Sequence, residues 1–515
     1  MSPSVTLTYG ARWEPFLPLA VGYGQGAKLS EGGSFQFSQD RFNRGIRSTI
    51  YANAPVGLYF PGDPGFPKHG ATNAKLHYIA PRAGFAWDVT GDGRTSVRAS
   101  YGIAFDFSGA QTYGGASSAP PWGFNTTTNS GDFANPWATY PGGNPFPYAR
   151  LSRFPNFSDY YFVPSFNASS PQIHTWNVSI QRQLPASFLF SASYVGNQAI
   201  HTWVGGYTNR AIYFPGNAVN GICTAQGYVL QTTGTCSTTG NTNQRRQLAL
   251  QNPTDGQLYG NLFTREDVGT QHYHGMLLSL QRRASNGGTV GANYTWSHCI
   301  GIDPTANNTG RGGPGYLDPN DRSFDYGNCP YVDRRQIFNV TGVVPSPQFQ
   351  GLLLRKLASG WQLGGIFRAS TGDFMSVVTG LDRALNGQPG SAATPTSAGN
   401  GQRPNQILGN PYGNRDSINN YLNPSAFAQP ALGTYGNMRP FSIEGPGYWQ
   451  LDMALARIFQ VRESKKLELR AEAFNVTNRF IPKDPNLNLN APNTFGQITI
   501  SGDARVMQFA LRYSF

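Results

Sequence analysis

The C-terminal ten residues constrain the fold of this chain more than any other feature. In Val506–Phe515, Met507, Phe509, Leu511, Tyr513 and Phe515 alternate with Gln508, Ala510, Arg512 and Ser514. Period-two alternation puts one set on each face of a β-strand, here one apolar and one polar. The pattern recurs upstream. Leu467, Leu469, Ala471 and Ala473 alternate with Glu468, Arg470 and Glu472, and Trp449, Leu451, Met453 and Leu455 alternate with Gln450, Asp452 and Ala454. Val290, Ala292, Tyr294 and Trp296 form a further set, and Trp176, Val178 and Ile180 another. About twelve such segments are predicted: 4–13, 82–90, 95–107, 172–184, 187–197, 272–284, 288–298, 334–344, 360–370, 448–460, 465–476 and 505–515.

Their connections alternate in length. The short ones are Thr90–Arg94, Pro185–Ala186, Ser285–Gly287, Pro345–Ser359 and Val461–Ser464, and the long ones are 14–81, 108–171, 198–271, 299–333, 371–447 and 477–504. Short periplasmic turns alternating with long extracellular loops are the plan of an outer-membrane β-barrel, and the parity puts Phe515 on the periplasmic side. The competing architecture is a soluble sandwich or propeller. Three features oppose it. Trp13, Trp176, Trp296, Trp361 and Trp449 stand near strand ends, where a membrane barrel carries aromatic girdles. The polar faces use Ser, Thr, Asn and Gln rather than Lys or Glu. Loops of about 60 residues without structure of their own are rare in compact soluble domains. Arg182 and Arg457 fall on the apolar phase, but both sit beside short turns. There a lipid-facing Arg costs roughly 0–1 kcal/mol, against about 2–4 at the midplane.

Composition closes off other classes. Charged residues are 13 % of the 515, aromatics another 13 %, and Gly numbers 62, which fits neither charge-driven disorder nor a helical bundle. No apolar run of 18 residues predicts a transmembrane helix. The net charge of +12 is scattered singly or in pairs such as Arg245-Arg246 and Lys465-Lys466, so no nucleic-acid partner is expected. The first residues show neither a basic n-region nor an apolar h-region, so no signal peptide is read there. Four cysteines, Cys223, Cys236, Cys299 and Cys329, make two local pairs in Gly/Thr/Asn-rich surroundings. They read as two loop disulfides of an oxidising compartment, the alternative being four unrelated thiols.

Several stretches resemble the Oar-like group of TonB-dependent outer-membrane transporters. They are Gly445-Pro-Gly-Tyr-Trp-Gln-Leu-Asp452, Leu469-Arg-Ala-Glu-Ala-Phe-Asn-Val-Thr-Asn478, Pro81-Arg-Ala-Gly-Phe-Ala-Trp-Asp88, Arg98-Ala-Ser-Tyr-Gly102, Tyr294-Thr-Trp-Ser297, Asp333-Arg-Arg335 and Gly360-Trp-Gln362. The resemblance runs from about Val5 to Phe515. It implies roughly 22 strands in the complete barrel, of which this chain would hold the C-terminal twelve, without plug, TonB box or signal peptide. It also implies an unknown ligand bound by the extracellular loops and outer-membrane lipid around the strands. The TonB-type energy transducer would act only through the missing N-terminal part. Phe509, Leu511, Tyr513 and Phe515 are similar to the signal read by the barrel-assembly machinery. The alternative is a self-contained adhesin-like barrel.

No catalytic constellation stands out, and neither an enzyme nor a cofactor or metal site is expected. The inward-facing Glu468, Arg470 and Glu472, with Gln508 and Arg512, form the candidate polar wall of the lumen, with Arg and Glu able to pair across the ladder. His272 and His274 share a face without a third ligand, which favours solvated loop-end histidines. Asp318, Asp321 and Asp325, with Asp303 nearby, lack the spacing of a calcium loop. Asp92-Gly93 reads as a tight hairpin turn. Gly22-Tyr-Gly24-Gln-Gly26 is not followed by a helix pattern and is not a phosphate loop.

Overall fold

The computed structural model describes residues 4–17, 35–67, 72–107, 120, 132–138, 143–144, 154–162, 164–218, 222–284, 287–302, 316–330, 333–387, 401–462 and 465–515. The Gly22–Gly26 stretch and Asp303 lie outside them. Twelve long strands run through one sheet in chain order: β1 (Val5–Trp13), β2 (Ile79–Asp88), β3 (Thr95–Phe105), β4 (Gln172–Leu184), β5 (Phe188–Thr208), β6 (Tyr259–Arg283), β7 (Thr289–Gly301), β8 (Gln336–Pro345), β9 (Trp361–Ser370), β10 (Tyr448–Arg462), β11 (Lys465–Phe474) and β12 (Val506–Ser514). Each pairs antiparallel with the next, as the alternation of short and long connections requires. Two short strands, Ser158–Tyr161 and Gly327–Asn328, join the same sheet at β6 and β7. Among the described residues, β1 is paired only with β2, and β12 only with β11. No described helix is long and apolar enough to cross a membrane, which says nothing about crossing by strands.

The register holds one chemistry on each face. At the loop end of the apolar face one row runs Trp176, Gly196, His274, His298 across β4–β7, and the next row runs Val178, Tyr194, Met276, Trp296. Toward the turn end the rows continue as Ile180, Ala192, Leu278 and Tyr294. Gly196 is required here by space. A Cβ would lie 2.4 Å from the Trp176 indole, which lies across it. Trp13, Trp176, Trp296 and Trp449 stand at the loop end of this face, and Trp361 and Trp87 at the turn end, so the aromatics form two belts. The opposite face carries Arg82, Arg98 and Arg368 among Ser, Thr and Asn.

Arg182 and Arg457 do fall on the apolar phase at the turn end, opposite Phe190 and Trp361. A third arginine, unremarked in the sequence, joins them. Arg282 pairs in register with Phe188, its guanidinium lies 5.1 Å from that ring, and it donates to the Ala186 carbonyl at 3.1 Å. All three are at the interface level, where charge is cheap to place.

Four expectations need correction. The segments 187–197 and 272–284 continue well past the others as β5 and β6. Their extensions lose the clean alternation because both faces meet protein: Val204, Tyr207, Leu262 and Phe263 are all nearly fully buried. Register irregularities on both sides of Gly269 interrupt the β5–β6 ladder just past the end of the pairing with β7. Second, Cys299 lies within β7, opposite Tyr273, not in a loop. Third, the connection after Pro345 contains a helix, α1 (Leu352–Ala358). Fourth, the long loops are not structureless. They hold paired short strands such as Phe374–Met375 with Ile443–Glu444, and they carry most of the buried apolar side chains. One cluster joins Phe35 and Phe60 from the first long loop to Tyr160 and Phe162 from the second and Tyr259 of β6. Another joins Val377, Tyr421 and Ile443 to Phe495 of the last loop. Polar strand faces leave the sheet no core of its own, so the loops build theirs with each other. Asp92-Gly93 does sit in the short β2–β3 turn, where Gly91 and Gly93 have φ of 74° and 73° and both donate to Asp88.

Candidate functional site

The polar wall comes from β11 and β12. Register places Glu468 opposite Arg512 and Glu472 opposite Gln508. The close ion pairs, however, run along β11: Arg470 reaches Glu472 at 2.8 Å and Glu468 at 3.9 Å. Side chains two apart on a strand share a face, so one Arg between two Glu can serve both. On the neighbouring strand Asp452 accepts from Gln450 at 2.7 Å and from the Asn475 backbone at 2.8 Å. A polar column therefore climbs the inward face toward the loop end.

It leads into a cavity of about 700 Å³ lined by Arg334, Asp373, Tyr448, Gln450, Asn475 and Asp484, with further loop residues at 481–484 and 501–504. Tyr448 and Gln450 start β10, Arg334 precedes β8, and the two aspartates come from the loops after β9 and β11. Arg334 is fixed from three sides. It pairs with Asp373 at 2.7 Å, donates to Ser370 Oγ at 2.9 Å, and lies 5.8 Å from the Tyr448 ring. The second oxygen of Asp373, Oδ1, is buried with no hydrogen-bond partner. Burial pushes the Asp373 carboxyl above the ordinary carboxylate range against the pull of Arg334. Asp484 stands at the exposed mouth of the cavity, raised by partial desolvation and by the Asp373 charge, with Arg334 and Lys483 opposing. The cavity thus holds one half-buried carboxylate whose second oxygen is an acceptor without a donor. That arrangement suits a polar solute carrying N–H or O–H donors. No group of three or more His, Cys, Asp or Glu that could hold a metal occurs among the described residues.

The other sequence candidates fall elsewhere. Phe509, Leu511 and Tyr513 project from the apolar face of β12, and Phe515 follows the strand's last residue, with Phe509 75 % and Phe515 92 % exposed. Cys223 is bonded to Cys236 in the loop after β5, and Cys299 to Cys329, which ties the end of β7 to the loop that follows. His272 and His274 share the apolar face; His274 Nδ1 meets Tyr194 Oη at 2.7 Å. The aspartates 318, 321 and 325 do not converge. Asp318 pairs with Arg210 at 3.1 Å, Asp321 caps the turn at Ser323, and Asp325 pairs with Arg403 at 2.8 Å. Arg334 stands inside the Asp333-Arg-Arg335 stretch noted in the sequence. Asp373 and Asp484 gave no signal there, because irregular loop segments have no periodicity that reveals a facing partner.

A family model described as "Outer membrane beta barrel domain" matches residues 1–508. The chain belongs to this family. The apolar face of this outer-membrane barrel is thereby its lipid face and the polar face its lumen. The long loops are extracellular and the short turns periplasmic. No curated protein sequence matches the chain. Among solved structures, the Escherichia coli outer-membrane transporter YddB is similar with a TM-score of 0.42 at 12 % identity, over 86 % of this chain and 41 % of that one. The ferric-catecholate import receptor Fiu of E. coli K12 gives 0.37 at 12 %, over 100 % and 42 %. The siderophore receptor PiuA of Acinetobacter baumannii gives 0.37 at 9 %, over 85 % and 36 %. The barrel spans less than half the length of these proteins.

Proposed function

We infer that this barrel is the C-terminal part of a TonB-dependent transporter of the Oar-like group, taking up a ligand captured by its extracellular loops. The observation that carries the reading is a sheet of twelve antiparallel strands with one apolar and one polar face, in a chain that the outer-membrane barrel family model matches over residues 1–508. Among the described residues β1 pairs only with β2 and β12 only with β11, and further strands of a wider barrel would pair both edges, where each unsatisfied backbone group facing hydrocarbon costs several kcal/mol. The sequence resemblance supplies the kind of barrel, and the loops supply a rigid receptor surface above the lumenal cavity. In this reading the cavity is the first station inside the mouth, and the wall of Glu468, Arg470, Glu472, Gln508 and Arg512 faces the plug. Phe509, Leu511, Tyr513 and Phe515 engage the assembly machinery, and the energy transducer acts through residues outside this chain.

Electrophoresis with and without boiling tests the reading. The chain alone, folded in detergent, is expected to show no heat-modifiable migration. The same chain extended by the open frame upstream of Met1 is expected to show it. Heat-modifiable migration of the 515 residues alone would instead establish a self-contained barrel and remove the transport reading.

A further inference from the structure

We propose that α1 is a membrane foot: an amphipathic helix lying in the periplasmic leaflet against the outside of the barrel, with acyl chains on its leucines and lipid phosphates on its basic residues. The sequence of α1 is Leu-Leu-Leu-Arg-Lys-Leu-Ala, and every residue but Ala358 is exposed. Leu353 is 71 % exposed and Leu357 60 %. At about 100° per residue, Leu353, Leu354 and Leu357 fall within an arc of about 100°, and Arg355 and Lys356 lie on the other side, with Leu352 of the first turn between them. A short helix with this division lies in the boundary between headgroups and acyl chains.

The anchoring decides which side of the wall it occupies. Trp361 and Arg457 are cross-strand partners on the lipid face. Trp361 Nε1 donates to the Leu357 carbonyl at 2.8 Å, and Arg457 donates to the Lys356 carbonyl. Both donors thus bind the last turn of α1, where carbonyls lack helical partners and carry partial negative charge. The Arg457 guanidinium also stacks over Trp361 at 5.1 Å and Phe459 at 4.5 Å. The return to β9 passes through Gly360 at φ 79°, a value that favours glycine, and Ile458 N donates to its carbonyl at 3.1 Å. The helix end is therefore clamped outside the lumen, at the level of the turn-end aromatic belt. Beside it an apolar groove of about 430 Å³ lined by Trp361, Leu455, Leu469, Phe509 and Leu511 continues the lipid face. The foot also accounts for an arginine on the apolar phase: Arg457 serves the helix.

Site-directed spin labelling in outer membranes of cells expressing the chain extended by the open frame upstream of Met1 tests this. A nitroxide is placed on Leu353→Cys, on Leu469→Cys as the lipid-facing reference and on Leu408→Cys as the loop reference. The native cysteines are all disulfide-bonded. The ratio of oxygen to nickel-chelate accessibility at position 353 is expected to match position 469 and exceed position 408 several-fold. A ratio equal to that of position 408 overturns the proposal. Dipolar broadening between labels at 353 also overturns it, since a second copy would then cover the helix. Arg457→Ala, which frees the clamp, is expected to lower the ratio at 353; an unchanged ratio at 353 refutes the clamp.

Discussion

Arg403 and Asp325 are almost completely buried and lie in different extracellular loops, those after β9 and β7. Arg403 also donates to the carbonyls of Phe324 at 2.7 Å and Met438 at 2.9 Å. Arg245, fully buried, does the same between the loops after β5 and β9, reaching Ile212, Thr238, Asn241 and Leu385. Arginine suits this task, because its planar fork satisfies several acceptors at once. Removing one partner of a buried pair leaves the other charge uncompensated. Arg403→Ala is expected to destabilise the loop assembly by about 3–5 kcal/mol, measured as the drop in its thermal or urea midpoint. The Arg403–Asp325 and Arg245–Leu385 pairings could not be read from the chain, since each joins residues from loops far apart in sequence.

The strands were legible for the reason the loops were not. A strand between lipid and lumen must alternate, and Val506–Phe515 or Lys465–Phe474 do so residue by residue. Where β5 and β6 rise above the sheet, that two-solvent constraint ends, and the Gly205-Gly206 backbone instead admits the rings of Phe263 and Tyr316. The alternation stopped signalling strand although the strand continued. Helix α1 was hidden by length, since seven residues inside a turn give barely two helical periods. The disulfides act at this scale. Cys223–Cys236 spans 13 residues and Cys299–Cys329 spans 30. Closing loops of this size contributes about 3 kcal/mol or somewhat more each on the chain-entropy account. Reduction is therefore expected to expose the loop segments around 223–236 and 316–330 to limited proteolysis while the strands stay protected. Cleavage inside β10–β12 under the same conditions would show that loops and sheet unfold as one unit.

At the scale of the molecule, the sheet and the loop assembly divide the work. The sheet faces two solvents and keeps little to bury, and the loops hold the aromatic clusters that a soluble domain would keep at its centre. The overall plan was legible because connection lengths alternate along the whole chain. How the loops fold together was not, because it depends on contacts between segments with no period in common. The two longest strands join the halves. From Gln271 back to Tyr259, β6 continues beyond the end of β7, and β5 follows it through most of that length. At about 3.3 Å per residue this ribbon has a contour of roughly 40 Å. It works as a mast. The loop clusters packed along it are carried clear of the lipid headgroups while staying tied, strand by strand, to the wall below.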